Sequence, residues 1–132
     1  CDIVVIHDAA RPFIAVKTIE QSITAAAESS GAIVAIPAQD TIKRVSAQNF
    51  ICETVSRHDL WLAQTPQTFQ VAAIREAHER AQQQGMPATD DAALVEQMGQ
   101  RVRIVLGEAS NFKITTPDDL VVAEALLQSK PG

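Results

Sequence analysis

The sequence predicts an α/β protein built around a mostly parallel sheet, and three observations carry that prediction. Ile3-Val4-Val5-Ile6 and Ala32-Ile33-Val34-Ala35-Ile36 are short apolar runs without alternation, the pattern of strands buried on both faces. Between them Val16, Ile19, Ile23 and Ala26 or Ala27 recur at helical spacing, closed by Ser29-Ser30-Gly31 as a C-terminal stop. Strand, helix and strand in that order make a right-handed crossover, the repeating unit of this fold class.

The first run ends abruptly in polar chemistry. His7, Asp8 and Arg11 follow Ile6 within five positions, and Pro12 stops any further ladder. In open α/β sheets the ligand crevice lies beyond the carboxyl ends of the strands. A carboxylate and a guanidinium there suit a metal or a phosphorylated substrate. The same residues also fit an ordinary strand exit, with Asp8 bonding backbone amides and Arg11 on a solvated turn.

Beyond Pro37 the rhythm breaks. Asp40–Val45 and Phe50–Val55 read as two short strands around the polar turn Ser46–Asn49. Thr41, Lys43 and Val45 fall on one face, Ile42 and Arg44 on the other, so the hairpin hides little of itself. An isolated two-stranded hairpin is marginal in water. It therefore packs against another subunit or folds back on its own domain. Ser56-Arg57-His58-Asp59 is a polar turn. In Leu60–Phe69, Trp61 reads as a core anchor, and Thr65-Pro66 is an extended exit where Thr65 faces the crevice or caps a turn.

Val71, Ile74, Ala77 or His78, and Ala81 give a second amphipathic helix ending at Gln82–Gly85, with His78 as a solvated member. Thr89-Asp90-Asp91 is first an N-cap for the short helix 92–98, stopped by Gly99, although paired carboxylates can also hold a metal. Val102–Leu106 is a third core strand. In Asn111–Thr116, Lys113 lies opposite Phe112 and Ile114, so it snorkels to solvent or enters the crevice. Thr116-Pro117-Asp118-Asp119 starts the last helix, with Thr as cap, Pro at the first position and acids in the first turn. Leu120, Ala123, Leu126 and Leu127 carry it to Ser129.

Composition narrows the function classes. The chain has 132 residues, room for one domain, with 46% hydrophobic and 20% charged residues, as in a soluble globular protein. A net charge of −5 without a basic block disfavours a nucleic-acid partner. No apolar run reaches the length of a membrane span. The two cysteines, Cys1 and Cys52, have no paired metal spacing, and a reduced cytoplasmic setting without a signal peptide is expected. The five scattered glycines form no phosphate loop. An opening on a core strand without an initiator Met suggests that an N-terminal part is absent. There is no Ser-His-Asp order and no isolated carboxylate pair of glycosidase type. The remaining polar candidates are Asp8, Arg11, Thr41, Arg57, Thr65, Thr89 and Lys113. Cations, hydroxyls and one acid suit a phosphate ester beside a divalent metal.

The runs VVIHDAARP, DTIKRV, ETVSRHDLWLAQTPQTF, TDDA and NFKITTPDDL, in this order over nearly the whole chain, resemble the 2-C-methyl-D-erythritol 4-phosphate cytidylyltransferase family. The resemblance implies a Rossmann-like nucleotidyltransferase α/β/α sandwich that dimerises through a projecting β-arm, about residues 38–60 here. It implies transfer of CMP from CTP to 2-C-methyl-D-erythritol 4-phosphate with release of pyrophosphate, in the non-mevalonate route to isoprenoid precursors, with Mg²⁺ as cofactor. Carried over by motif, Asp8 and Arg11 lie where the two substrates meet, Asp8 as catalytic and metal-binding residue and Ala9 beside it at a cofactor-binding position. Thr41, Thr65 and Thr89 bond the acceptor, and Arg57 reaches its phosphate from the partner subunit. Lys113 holds the charge that develops at the α-phosphorus. Asp91 departs from the pattern, the family more often having Glu there.

The family's glycine-rich, cationic triphosphate loop is not in these 132 residues. The chain is thus expected to be an incomplete nucleotidyltransferase domain, 1–132, with little or no transfer alone. Two alternatives stand beside this reading. One is a cytidylyltransferase for another polyol phosphate such as ribitol 5-phosphate. The other is a non-catalytic dimerisation fragment.

Overall fold

The computed structural model describes residues 2–129, so Cys1, one of the two cysteines without a paired metal spacing, lies outside the described residues. In chain order the elements are β1 (Ile3–Ile6), α1 (Val16–Ala27), β2 (Gly31–Pro37), β3 (Ile42–Val45), β4 (Ile51–Val55), β5 (Trp61–Gln70), α2 (Val71–Gln84), α3 (Asp91–Gln97), β6 (Val102–Leu106) and α4 (Pro117–Ser129). Four strands form the main sheet in the order β1-β5-β2-β6. β5 runs antiparallel to both its neighbours, and β2 pairs β6 in parallel. Three of the four strands therefore point the same way, with β5 inserted against them. The crossover expected between β1 and β2 is present, but the two are separated by β5 rather than paired.

Three layers result from the alternation of the central strands. Ala32 and Val34 of β2 turn with Val105 toward Ala25 and Ala26 of α1. Ile33 turns the other way with Phe69, against Ile74 and Ala77 of α2 and Ala92 and Val95 of α3. β2 is the strand whose apolar run was fully informative: its first five residues are all buried. β1 is not buried on both faces as its composition predicted. Among the described residues it is an edge strand paired only with β5, and Val5 is exposed.

β5 is the main surprise of the fold. It is the longest strand, and its buried residues include Gln64, Gln67 and Thr68. Its apolar run, Leu60–Ala63, covers only its exposed start and not the buried stretch beyond. Its polar side chains are tolerated because each has partners. Gln64 donates to the Glu108 carbonyl at 3.1 Å and accepts from Asn111 at 3.0 Å. Gln67 donates to Asp90 Oδ2 at 3.0 Å and accepts from the Ala92 amide at 3.2 Å. Thr68 Oγ1 pairs with Ser22 Oγ at 2.9 Å.

That last contact explains a second departure. α1 buries Thr18, Ser22, Ala25 and Ala26 against the sheet, while Val16 is 70% exposed and Ile23 also faces out. Of the apolar positions at helical spacing only Ala26 is buried and Ile19 half-buried, because small and hydroxyl residues let this helix sit close to β5 and bond to it. α2 follows expectation, burying Ile74 and Ala77 and ending at Gly85 in the left-handed conformation (φ 63°). In α4 only Ala123 is buried, and Leu120, Val121, Val122 and Leu127 are exposed.

The excursion between β2 and β5 forms a separate two-stranded sheet, β3-β4. The Ala38 amide bonds the Leu60 carbonyl at its base, and Arg44–Glu53 at 2.6 Å pairs the strands across their width. Val45, Phe50 and Ile51 are exposed, Phe50 by 75%. Trp61, expected as a core anchor, is 41% exposed at the root of this hairpin. Its position at the start of β5, opposite Pro37 where the sheet ends, leaves no second layer to cover it. Among the described residues no helix is long and apolar enough to cross a membrane.

Candidate active site

The polar residues gather at the end of the sheet where β1, β2 and β6 deliver their carboxyl ends. Past Ile6 the chain makes a turn closed by the Arg11 amide on the Asp8 carbonyl at 3.1 Å, with Ala9 and Ala10 at its tip. Because β5 runs the opposite way, its middle reaches the same place, and the Asp8 amide donates to Thr65 Oγ1 at 3.0 Å. The segment after β6 closes the third side. A single 3-10 turn, Ala109–Asn111, leads into an extended stretch whose Ile114 amide bonds the Ala10 carbonyl at 2.9 Å, and Phe112 stacks on Phe13 with centroids 6.4 Å apart.

Asn111 holds these pieces together. It is buried, and its amide nitrogen donates to Gln64 Oε1 at 3.0 Å and to the Thr65 carbonyl at 2.8 Å. Its own carbonyl accepts from Arg11 Nη1 at 2.8 Å. Arg11 is thereby aimed so that Nε lies 3.6 Å from Asp8 Oδ2. Lys113 reaches the same oxygen from the other segment, with Nζ at 3.6 Å. The lysine thus enters the crevice, the second of the two placements that alternation left open. The Arg11 side chain is 14% exposed, whereas Asp8 and Lys113 remain open to solvent at 38% and 49%.

A cavity of about 300 Å³ opens beside this cluster, lined by Asp8, Arg11, Gln64, Thr65, Thr89 and Asp90 among others. Asp8, Arg11, Thr65 and Thr89 therefore share one cleft, with Lys113 joined to it through Asp8. Thr41 and Arg57 are not brought there. Both are exposed on the hairpin, outside the lining of the cleft. Asp90 and Asp91 do not act as a pair. Asp90 caps α3 by accepting from the Ala93 amide at 2.9 Å, and Asp91 lies 3.0 Å from the exposed His78 on α2. Among the described residues no three His, Cys, Asp or Glu side chains converge as a metal cluster.

Sequence reasoning did not single out His7, Gln64, Gln67 or Asn111 as site residues. His7 sits between Thr65 Oγ1 and the Arg11 carbonyl, 2.9 Å from each. A signal for the glutamines existed: they flank Thr65-Pro66, which was expected as an extended exit facing the crevice or capping a turn.

The sequence and the fold both have counterparts among known proteins. The family model for 2-C-methyl-D-erythritol 4-phosphate cytidylyltransferase matches residues 1–129. A curated relative of that name from Geotalea uraniireducens (strain Rf4) is 50% identical over 128 residues, 97% of this chain and 54% of its own length. Another, from Bacillus pumilus (strain SAFR-032), is 48% identical and is covered over 57% of its length. The crystal structure of the enzyme of that name from Thermus thermophilus superposes with a TM-score of 0.89 at 41% identity, covering 97% of this chain and 63% of that one. The structure of 4-diphosphocytidyl-2C-methyl-D-erythritol synthase from Anaerococcus prevotii gives a TM-score of 0.86 at 32% identity. The chain spans about half the length of the curated relatives it matches. On the match from residue 1 to residue 129, the chain belongs to the 2-C-methyl-D-erythritol 4-phosphate cytidylyltransferase family.

Proposed function

We propose that this chain carries the acceptor-binding part of a cytidylyltransferase that moves CMP from CTP to 2-C-methyl-D-erythritol 4-phosphate. The observation that carries the reading is the placement of Arg11 and Lys113 on one oxygen of Asp8, at the mouth of a cleft lined by Thr65 and Thr89. In such a transfer an oxygen of the acceptor phosphate attacks the α-phosphorus of CTP, and the bond to the bridging oxygen breaks to release pyrophosphate. Two phosphate-bearing substrates must approach each other, so fixed cations between them lower both the repulsion and the charge of the transition state. Lys113 supplies a compact charge for the α-phosphoryl oxygens, and Arg11, oriented by Asn111, a directional one. Thr65 and Thr89 supply neutral hydrogen bonds that a polyol phosphate can use.

Mg²⁺ is part of this reading. The ion is commonly held by one or two carboxylates together with substrate phosphates rather than by an all-protein cage. The donor set fits that habit, since Asp8 offers Oδ1, which bonds to no described residue. Bound there, the ion would neutralise phosphate charge. The lack of a three-residue cluster is no objection for a site completed by substrate.

The hairpin has the second role. Its exposed Phe50, Ile51 and Val45 suit contact with a second copy, with Arg57 and Thr41 delivered to the partner's cleft. Arg suits a terminal phosphate dianion through its paired N–H groups. The protein is further expected to act in the cytoplasm, as part of isoprenoid precursor synthesis. The test is pyrophosphate release from CTP with 2-C-methyl-D-erythritol 4-phosphate or ribitol 5-phosphate, for the full-length protein and the 132-residue chain side by side. Turnover by the full-length protein with the methylerythritol ester, and little by the chain alone, is expected. Preference for the ribitol ester overturns the acceptor assignment.

A further inference from the structure

His7, whose ring meets Thr65 beside the cleft, is a group that the proposed chemistry does not use. Its ring bridges two partners of unequal kind: Nε2 lies 2.9 Å from the Arg11 carbonyl oxygen and Nδ1 lies 2.9 Å from Thr65 Oγ1. A carbonyl oxygen only accepts, so Nε2 carries hydrogen. In the neutral imidazole Nδ1 is then an acceptor, and the Thr65 hydroxyl must donate to it. Thr65 Oγ1 already accepts from the Asp8 amide at 3.0 Å. Its hydrogen and one lone pair are therefore committed, and what it has left for a ligand is its second lone pair.

We propose that His7 is a positioning residue that sets the polarity of the Thr65 hydroxyl. Thr65 thereby meets the ligand as a hydrogen-bond acceptor, suited to a hydroxyl of the acceptor polyol. The tautomer rests on the structure alone, and its effect on ligand binding rests on the acceptor reading above.

The test uses full-length protein and has separable arms. Long-range ¹⁵N–¹H correlation at mildly alkaline pH should show His7 protonated at Nε2 and bare at Nδ1. The opposite tautomer overturns the proposal whatever the protein binds. In the second arm, 2-C-methyl-D-erythritol 4-phosphate is titrated into wild type, His7→Asn, His7→Gln and His7→Phe, each checked by thermal melting. Asn offers an acceptor oxygen near the place of Nδ1, while Gln reaches toward the Arg11 carbonyl. Binding by His7→Asn should stay within about threefold of wild type, and that by His7→Gln and His7→Phe should fall about tenfold, the worth of one hydrogen bond. Equal loss in the Asn and Gln variants overturns the positioning role, and these two carry the test if the Phe variant does not fold. No binding by wild type overturns the acceptor reading instead, with the tautomer result still standing.

Discussion

Lys113 Nζ and Asp8 Oδ2 lie 3.6 Å apart, although one residue follows the last strand and the other follows the first. The pair is half open to water, so it adds little to folding: exposed ion pairs contribute about 0–1 kcal/mol. Its value lies in placing the ammonium at the cleft. Lys113→Ala in the full-length protein is therefore expected to lower kcat by about 10²–10³-fold, the usual result of removing a transition-state donor. The thermal midpoint should hardly move. Steady-state kinetics and a melting curve on the same preparation check both halves.

Gln67 should show the opposite pattern, a stability effect first. It is buried and ties β5 to α3 by accepting from the Ala92 amide and donating to Asp90, the cap of that helix. Gln67→Ala leaves the Ala92 amide without its partner inside the protein. Unsatisfied buried groups cost about 1–3 kcal/mol. Urea unfolding should report a loss in that range, and an unchanged midpoint with an unchanged slope would count against the buried-network account.

The contrast between β2 and β5 shows what was legible in the sequence. β2 declares itself because its burial is achieved with apolar side chains, and β3, β4 and β6 with α2, α3 and α4 lie close to their expected places. β5 buries glutamines and threonines, and their partners (Asn111, Asp90, Ser22) come from distant segments. Local pattern holds no record of such pairings. The same reason hid the stripe of α1 that faces Thr68. For the site, Asp8, Arg11, Thr65, Thr89 and Lys113 were each visible as polar residues at element ends, but His7 and Asn111 act through bonds that only the folded chain creates.

Gly107 is a sensitive point in that network. A Cβ there would stand 2.5 Å from Val34 Cγ1 and 2.7 Å from Gln64 Oε1. Gly107→Ala must push on a buried valine and on the glutamine that holds Asn111. Overpacking of this kind costs about 1–3 kcal/mol. Because Asn111 in turn orients Arg11, acceptor affinity should fall together with stability. The joint loss, seen by denaturation and by ligand titration, separates this variant from Lys113→Ala.

Asp119 predicts a pH effect. Its carboxylate accepts from the Thr115 and Thr116 amides at 2.9 and 3.1 Å and from the Thr115 hydroxyl at 3.0 Å, while the Thr116 hydroxyl accepts from the Asp119 amide. The Thr115 amide bond is the largest cause that holds this carboxyl below its ordinary value. A depressed folded pKa means that the contribution is present above the unfolded value and is lost as pH falls through the folded one. Asp119→Asn should thus raise amide exchange in the first turn of α4 at neutral pH. The difference from wild type should close as the solution is acidified below the carboxylate range.

The hairpin offers the sharpest test of assembly. If Arg57 serves the partner's cleft, a site in the full-length dimer is built from Lys113 of one subunit and Arg57 of the other. Arg57→Ala and Lys113→Ala homodimers are then both defective. In a mixed dimer one cleft combines the intact Lys113 of the first variant with the intact Arg57 of the second, and the other cleft lacks both. Random re-association makes about half of the dimers mixed, each with one good cleft of two, so activity should return to about a quarter of wild type. If both residues served the cleft of their own chain, every cleft in every dimer would still lack one of them. Mixing the two variants after dissociation and assaying with time therefore gives a rise to that level or no rise at all, and the second result removes Arg57 from the partner's site.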